Sequence, residues 1–244
     1  TLILDAPFVI DQGEGLKTWK PENYGKKFYG PSTLRSGLEK SRNLMTVRVA
    51  QNVGFEKISK LTNSFGIYKN VPELLSVSLG TAETTLVQLT NAYCTFVNGG
   101  KKVTTIFIDR IQDRRGKTIF NSDKRKCLGC KDISYLDDKI PSIEDKRLQI
   151  ISSETAYQIT SMMEGVVKRG TGRKLRNLKI PLAGKTGTTN NNMDAWFIGF
   201  TSKLVIGVYV GFDEPKTLGK YETGAKAALP IFKKFIKNVV KKKD

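Results

Sequence analysis

The chain has 244 residues, 39% of them hydrophobic and 26% charged, a composition that fits one large domain or two small ones and excludes a wholly disordered chain. At this size about 70–75% of the unfolded surface can be buried, so a proper core is possible. The net charge is +18 and there is no histidine, which removes Ser-His-Asp and Cys-His mechanisms and His-based zinc sites, so that a nucleophile would need lysine, a carboxylate or a backbone group as its helper.

In chain order, residues 1–30 read as irregular, rich in Gly, Pro and aromatics. Pro31-Ser32-Thr33 opens a short helix to Lys40, with Leu34 and Leu38 on one face, and Ser41-Arg42-Asn43 breaks it. A second helix runs over 44–52 to a stop at Gly54. A third covers 55–65, with Phe55, Ile58, Leu61 and Phe65 at helical spacing and Gly66 as its stop. The fourth, 84–98, carries the stripe Leu86, Leu89, Tyr93, Val97 and ends at Gly99-Gly100. Residues 41–100 thus form a mostly helical lobe.

The period then changes. Residues 102–120 suggest a β-hairpin turning at Arg115-Gly116, and 121–147 read as a polar loop or small insertion. Ser152 and Ser153 are N-cap candidates for a helix that buries Ala156, Ile159, Met163 and Val166-Val167 and stops at Gly170. "DAWFIGFT" and "LVIGVYVGF", separated by Ser202-Lys203, read as adjacent antiparallel strands. The second is apolar on both faces and is expected to be a central strand. At the end, Ile231, Phe232, Phe235, Ile236, Val239 and Val240 share one helical face. This helix reads as a cover for the sheet, with a membrane-surface helix as the alternative.

Three cysteines add little. Cys94 sits on an apolar helical face as a packed thiol. Cys127 and Cys130 form a lone C-x-x-C, which reads as a local disulfide or two idle thiols, since a metal site needs a second pair. Neither metal nor cofactor is expected. The lysines are spread over the whole chain without an aromatic-interleaved stripe, so no nucleic-acid partner is expected. No run approaches 18 apolar residues. The chain opens on Thr1 without an initiator methionine, so the lack of a targeting signal says little about location.

"PLAGKTGTTNNNMDAWF", residues 181–197, carries the sharpest signal. As a phosphate loop it fails: the pattern G-x-x-x-x-G-K-[ST] needs a glycine where Lys179 stands, and for Gly116-Lys117-Thr118 where Ile111 stands. As an edge strand it fits. Lys185-Thr186-Gly187-Thr188 alternates, Gly187 admits another backbone, and an extended peptide can pair along such an edge. The two threonine hydroxyls suit a carboxylate and Lys185 adds a positive charge. Ser41-x-Asn43 is a second short motif, and S-D-N with K-T-G belongs to a known signature set.

With those motifs stand longer stretches: "DAPFVIDQGEGLKTWKPENYGKKFYGPSTLRSGLEKSRN", "SLGTAETTLVQLTNAYCTFVNGG", "GVVKRGTG", "GKTGTTNNNMDAWFIGFT" and "LVIGVYVGFDEPKTLG". Together they resemble the C-terminal part of the transpeptidase domain of class A penicillin-binding proteins, nearly from end to end. The resemblance implies one α/β (α+β type) domain over 1–244, an antiparallel sheet flanked by helices plus an all-helical lobe, β-lactamase/transpeptidase-like and incomplete at its N-terminus. It implies peptidoglycan stem peptides as substrates and β-lactams as ligands if a nucleophile is supplied. The parent would be membrane-anchored, extracytoplasmic and joined to a glycosyltransferase domain.

Residue by residue, Ser41 would relay a proton between nucleophile and leaving amine, and Asn43 would hydrogen-bond the substrate amide. Lys185 would stand beside Ser41, Thr186 and Thr188 would hold a carboxylate, and the Thr188 N–H would be one oxyanion donor. Arg42 replaces the Asp of the lactamase triplet. Thr171-Gly172 resembles a cleft loop with a backbone role. What the chemistry also needs is Ser-x-x-Lys, and no serine here has lysine three residues on; the near misses start from Thr171, Thr217 and Thr223. In the family that serine lies before the "DAPFVIDQ" region. The chain alone is therefore expected to be inactive and marginally stable, and a non-catalytic remnant or binding module of a split gene is the alternative reading.

Overall fold

The structure, a computed structural model, describes residues 1–11, 18–128 and 142–240. It begins with a correction. Leu2–Asp5 (β1) pairs antiparallel with Gly30–Thr33 (β2), Leu2 opposite Thr33 and Asp5 opposite Gly30. Pro31 and Ser32 therefore belong to a strand, not to the first helix. Proline is tolerated because this two-stranded ribbon has open edges. Thr33 then caps α1 (Leu34–Lys40), its hydroxyl accepting from the Ser36 N–H.

Every element between Ser41 and Gly100 is helical: α2 (Asn43–Val53), α3 (Phe55–Phe65), a 3-10 turn over Leu75–Leu79 and α4 (Leu86–Val97). Gly54 and Gly66, both at positive φ, stop α2 and α3. Thr85 and Gln88 close a reciprocal capping box at the start of α4, satisfying two of the backbone donors a helix start leaves open. Tyr93 on α4 is half-buried against Phe96 and Phe200, and desolvation there pushes its phenol up to about 12.

The hairpin expected over 102–120 is shorter than its sequence suggests. Only Arg110–Gln112 (β3) and Thr118–Asn121 (β4) pair. Asp113 Oδ1 receives the Arg115 and Lys117 N–H groups around the turn, and Gly116 takes its left-handed place. Lys102 N–H instead bonds the Leu148 carbonyl, which holds the preceding residues against the 142–150 segment. Two-residue strands β5 (Cys127–Leu128) and β6 (Ser142–Ile143) pair across the expected insertion. Cys127 is disulfide-bonded; Cys130 lies outside the described residues. Cys94 is a free, half-buried thiol raised by that burial.

The central sheet has the order β7 (Ala183–Thr188), β8 (Ala195–Phe200), β9 (Val205–Val210), all antiparallel. Among the described residues β8 is its central strand and β9 an edge, which corrects the expectation for the second apolar run. That run is apolar on both faces because both are covered: Ile206, Val208 and Val210 pack in the cluster with α6 (Ala228–Val240), and Val205 packs in the cluster with Met163 and Phe200. In β8, Ala195 and Phe197 face α6, where Phe197 and Phe232 meet edge to face with centroids 4.9 Å apart. Phe200 faces the other way, onto Tyr93 of α4 and Met163 of α5 (Ser153–Lys168).

Helix α6 covers the sheet through Ala228, Leu229, Phe232 and Ile236, while Ile231 and Phe235 are each 51% exposed. The stripe named from sequence is thus half buried. The sheet takes one ridge of the helix, and the neighbouring ridge has no sheet beneath it. Among the described residues no helix is long and apolar enough to cross a membrane.

Candidate active site

Ser41 ends α1 with φ 54° and ψ 54°. Its N–H bonds Leu38 O and the Arg42 N–H bonds Gly37 O, the crossed pair of a Schellman terminus, whose left-handed residue is ordinarily glycine. A serine here costs backbone strain that glycine would avoid. What it adds is a hydroxyl, aimed at β7.

Along β7 the side chains alternate. Ala183 packs in the cluster with Met163 and Phe200, so Lys185 and Gly187 share the α5 face, and Gly184, Thr186 and Thr188 share the opposite one. The Lys185 Nζ donates to Ser41 Oγ at 2.7 Å and to the Thr186 carbonyl at 2.8 Å. Burial alone pushes this amine down to about 8. Among the described residues it forms no ion pair. An ammonium has three donors, so this cation is held by two neutral oxygens and keeps a third donor for something else.

Thr186 Oγ1 meets Thr171 Oγ1 at 2.8 Å. Thr188 Oγ1 accepts the Gly224 N–H at 3.0 Å, which leaves the hydroxyl proton available to donate. Gly224 has to be glycine: a Cβ there would lie 2.4 Å from the Gly187 and Trp196 carbonyl oxygens. Gly187 gives less, since its Cβ would stand 3.1 Å from that of Trp196.

Asn43 is not joined to this group. Its Nδ2 donates to the Glu22 carbonyl at 2.8 Å. It stands at the first turn of α2, beside a network the sequence did not reveal. Asp5, fully buried, accepts Arg42 at 2.5 Å and Asn23 at 2.7 Å. The Arg42 guanidinium also lies 3.3 Å over the Tyr29 ring. Helix α2 has no side-chain cap of its own, and Asn23 Oδ1 supplies one by accepting the Leu44 N–H. A residue twenty-one positions before Leu44 thus does the work of an N-cap. Arg42, read above only as a departure from a triplet, is the bolt that holds Ser41 and Asn43 to the 5–29 segment.

An apolar cavity of about 330 Å³ between α4, α5 and the start of β7 is lined by Phe96, Tyr157, Leu182 and Phe200 and excludes Ser41 and Lys185. The described residues hold no cluster of three metal-ligating side chains.

The penicillin binding protein transpeptidase domain family matches residues 2–237. The chain belongs to that transpeptidase family. It is 48% identical over 241 residues to penicillin-binding protein 1A of Rickettsia conorii, covering 98% of this chain and 30% of that protein. The crystal structure of penicillin-binding protein 1A from Haemophilus influenzae superposes with a TM-score of 0.86 at 33% identity, over 100% of this chain and 39% of that one. The PonA1 protein from Mycobacterium tuberculosis, solved in complex with penicillin V, shares the fold at 20% identity and a TM-score of 0.75, covering 98% of this chain and 63% of that one. The chain spans about a third of the length of the curated relatives it matches.

Proposed function

We propose that the chain forms the C-terminal wall of a serine-type D,D-transpeptidase cleft that cross-links peptidoglycan stem peptides through an acyl-serine intermediate. The observation that carries this reading is the 2.7 Å contact between Lys185 Nζ and Ser41 Oγ, made by a half-buried lysine with no carboxylate partner among the described residues. A partly buried cation interacts more strongly than an exposed one with charge that develops in the transition state. Ser41 relays the proton between an incoming serine and the leaving amine. Asn43 orients the substrate amide, and its N–H contact with Glu22 fixes the side chain from behind. Thr186 and Thr188 hold the substrate carboxylate, and the stem peptide pairs along the free edge of β7. The Thr188 N–H serves as an oxyanion donor. β-Lactams occupy the same wall; PonA1, which shares the fold, was solved in complex with penicillin V. The active protein is extracytoplasmic and membrane-anchored, with a glycosyltransferase domain.

The nucleophile is a serine of a Ser-x-x-Lys segment supplied from outside these residues, which contain none. In subtilisin, losing such a group costs on the order of 10⁶ in kcat, so the chain alone is inactive, as a split or remnant module would also be. In a longer protein that joins a Ser-x-x-Lys segment to Thr1, fluorescent penicillin labels the added serine. Ser41→Ala and Lys185→Ala each slow that labelling by roughly 10²–10³. The isolated chain gains no mass on incubation with penicillin. Failure of the longer protein to label, or a covalent adduct on the isolated chain, overturns the reading.

A further inference from the structure

Two glycines of α5 and its exit, Gly165 and Gly170, are packed against one residue of α1. A Cβ at Gly165 would lie 1.9 Å from Glu39 Oε1, and one at Gly170 would lie 2.3 Å from the Glu39 carbonyl oxygen. Glu39 is itself 3% exposed. Its carboxylate is gripped by Arg169 in a two-pronged fork, Nε to Oε2 at 2.8 Å and Nη2 to Oε1 at 2.5 Å. Arg35 adds a longer contact of 3.7 Å. The backbone is tied as well: the Thr171 N–H bonds the Glu39 carbonyl at 3.2 Å, and Lys40 Nζ bonds the Arg169 carbonyl at 2.6 Å.

These contacts join the two chain segments that flank β7. Glu39 and Lys40 lead directly into Ser41, which reaches Lys185. Arg169 and Gly170 lead directly into Thr171, whose hydroxyl reaches Thr186. The result is a closed ring: Ser41 to Lys185, to Thr186, to Thr171, back through Glu39 and Lys40 to Ser41. Ser41 sits at the end of a seven-residue helix in a strained left-handed conformation, a geometry that persists only where its surroundings over-determine it. The ring is what does so. A bidentate guanidinium–carboxylate pair fixes direction as well as distance, and the two glycines let it sit against the α5 backbone.

We infer that Glu39, Arg169 and the Thr171 hydroxyl are positioning residues that hold Ser41 against Lys185 and fix the rotor of Thr186. The inference gives the proposed transpeptidase wall its internal brace and rests on that reading for its use in catalysis, while the brace itself is open to a test without catalysis.

The test follows the Lys185 amine by NMR in lysine-labelled 244-residue chain, with the signal assigned by its loss in Lys185→Met. Without the ring, the end of α1 draws away, water reaches Nζ, and the amine titrates upward toward an ordinary lysine. In Glu39→Gln and Arg169→Gln the midpoint rises by about one pH unit or more. Thr171→Val, which keeps shape and drops the hydroxyl, moves it in the same direction, and Thr171→Ser restores the original value. A purely structural role for Thr171 would not separate Val from Ser. If Glu39→Gln does not fold, Arg169→Gln and the Thr171 pair still decide. Folded variants in which the Lys185 midpoint stays within 0.3 pH units or so of the parent overturn the inference. Penicillin labelling of the longer protein keeps the two ideas apart. A parent that never labels sinks the transpeptidase reading and leaves the brace standing. A parent that labels, with folded Glu39→Gln and Thr171→Val variants labelling at the parent rate, sinks the positioning role.

Discussion

Lys185 is half-buried and forms no ion pair among the described residues, and that has a consequence for stability. Burial holds its amine at about 8 in the folded chain, against 10.5 for an ordinary lysine. Between those values the unfolded chain binds a proton that the folded chain does not, so stability rises with pH across that window. Each tenfold change in proton affinity is worth about 1.4 kcal/mol, so the gain amounts to about 1–3 kcal/mol. Urea midpoints measured at pH 7.5 and 9.5 are expected to increase, and Lys185→Met is expected to remove most of the increase. A midpoint that falls over this range would show that the burial of Nζ is not what the contacts indicate. Tyr93, held near 12, stays neutral throughout. Asp5 is the opposite kind of buried group. It is fully paired by Arg42 and Asn23, and removing either partner leaves a buried carboxylate short of donors, at a cost of about 3–5 kcal/mol for the cation.

At the scale of the element, the end of α1 shows how a helix stop can carry a side chain that reaches a distant strand. The Schellman geometry favours glycine at residue 41, and the chain has serine there. Ser41→Ala loses the hydroxyl and keeps the strain, whereas Ser41→Gly loses the hydroxyl and relieves it. The glycine variant is therefore expected to be about 1 kcal/mol more stable than the alanine variant by urea denaturation, although both remove the Lys185 contact. Equal stability would mean that the left-handed conformation carries no strain. The sequence signalled this break between helices without revealing its handedness. Elsewhere in the elements, legibility followed the local chemistry. The end of α3 and the cap of α5 were readable because Gly66 and Ser152 act on backbone a few residues away, whereas the Thr85–Gln88 box that starts α4 at Leu86 was not read from the sequence, which opens that helix at Thr84. The β1–β2 ribbon was not, because its partners are separated by the whole 5–30 segment and no hairpin turn announces the pairing. The same distance hid Asp5, Asn23, Glu39 and Arg169. A buried polar residue looks like a surface one until its partner is known.

For the molecule as a whole, the net charge of +18 sets a self-repulsion that most local ion pairs do not relieve, since pairs such as Lys26–Glu22 and Lys146–Glu144 are exposed and worth little. Raising ionic strength from about 0.02 M to about 0.3 M shortens the screening length several-fold. The thermal midpoint is expected to rise by a few degrees over that range, and a fall would mean that the surface pairs outweigh the repulsion.

The sequence by itself determined the helical and strand segments with strong periodicity, the exclusion of His-dependent chemistry, the failure of the phosphate-loop spacing, and the resemblance that the family match then bore out. Those are properties of short windows or of counts. Tertiary structure alone decided that β8 rather than β9 is central among the described strands, that only one ridge of α6 is buried, and that Ser41 and Lys185, separated by 144 positions, share a hydrogen bond. It also decided that Asn43 faces Glu22 and that Thr171 contributes a side chain rather than only a backbone. Each of these depends on which surfaces meet, and that is set by the burial of apolar faces over the whole chain, a quantity no local window contains.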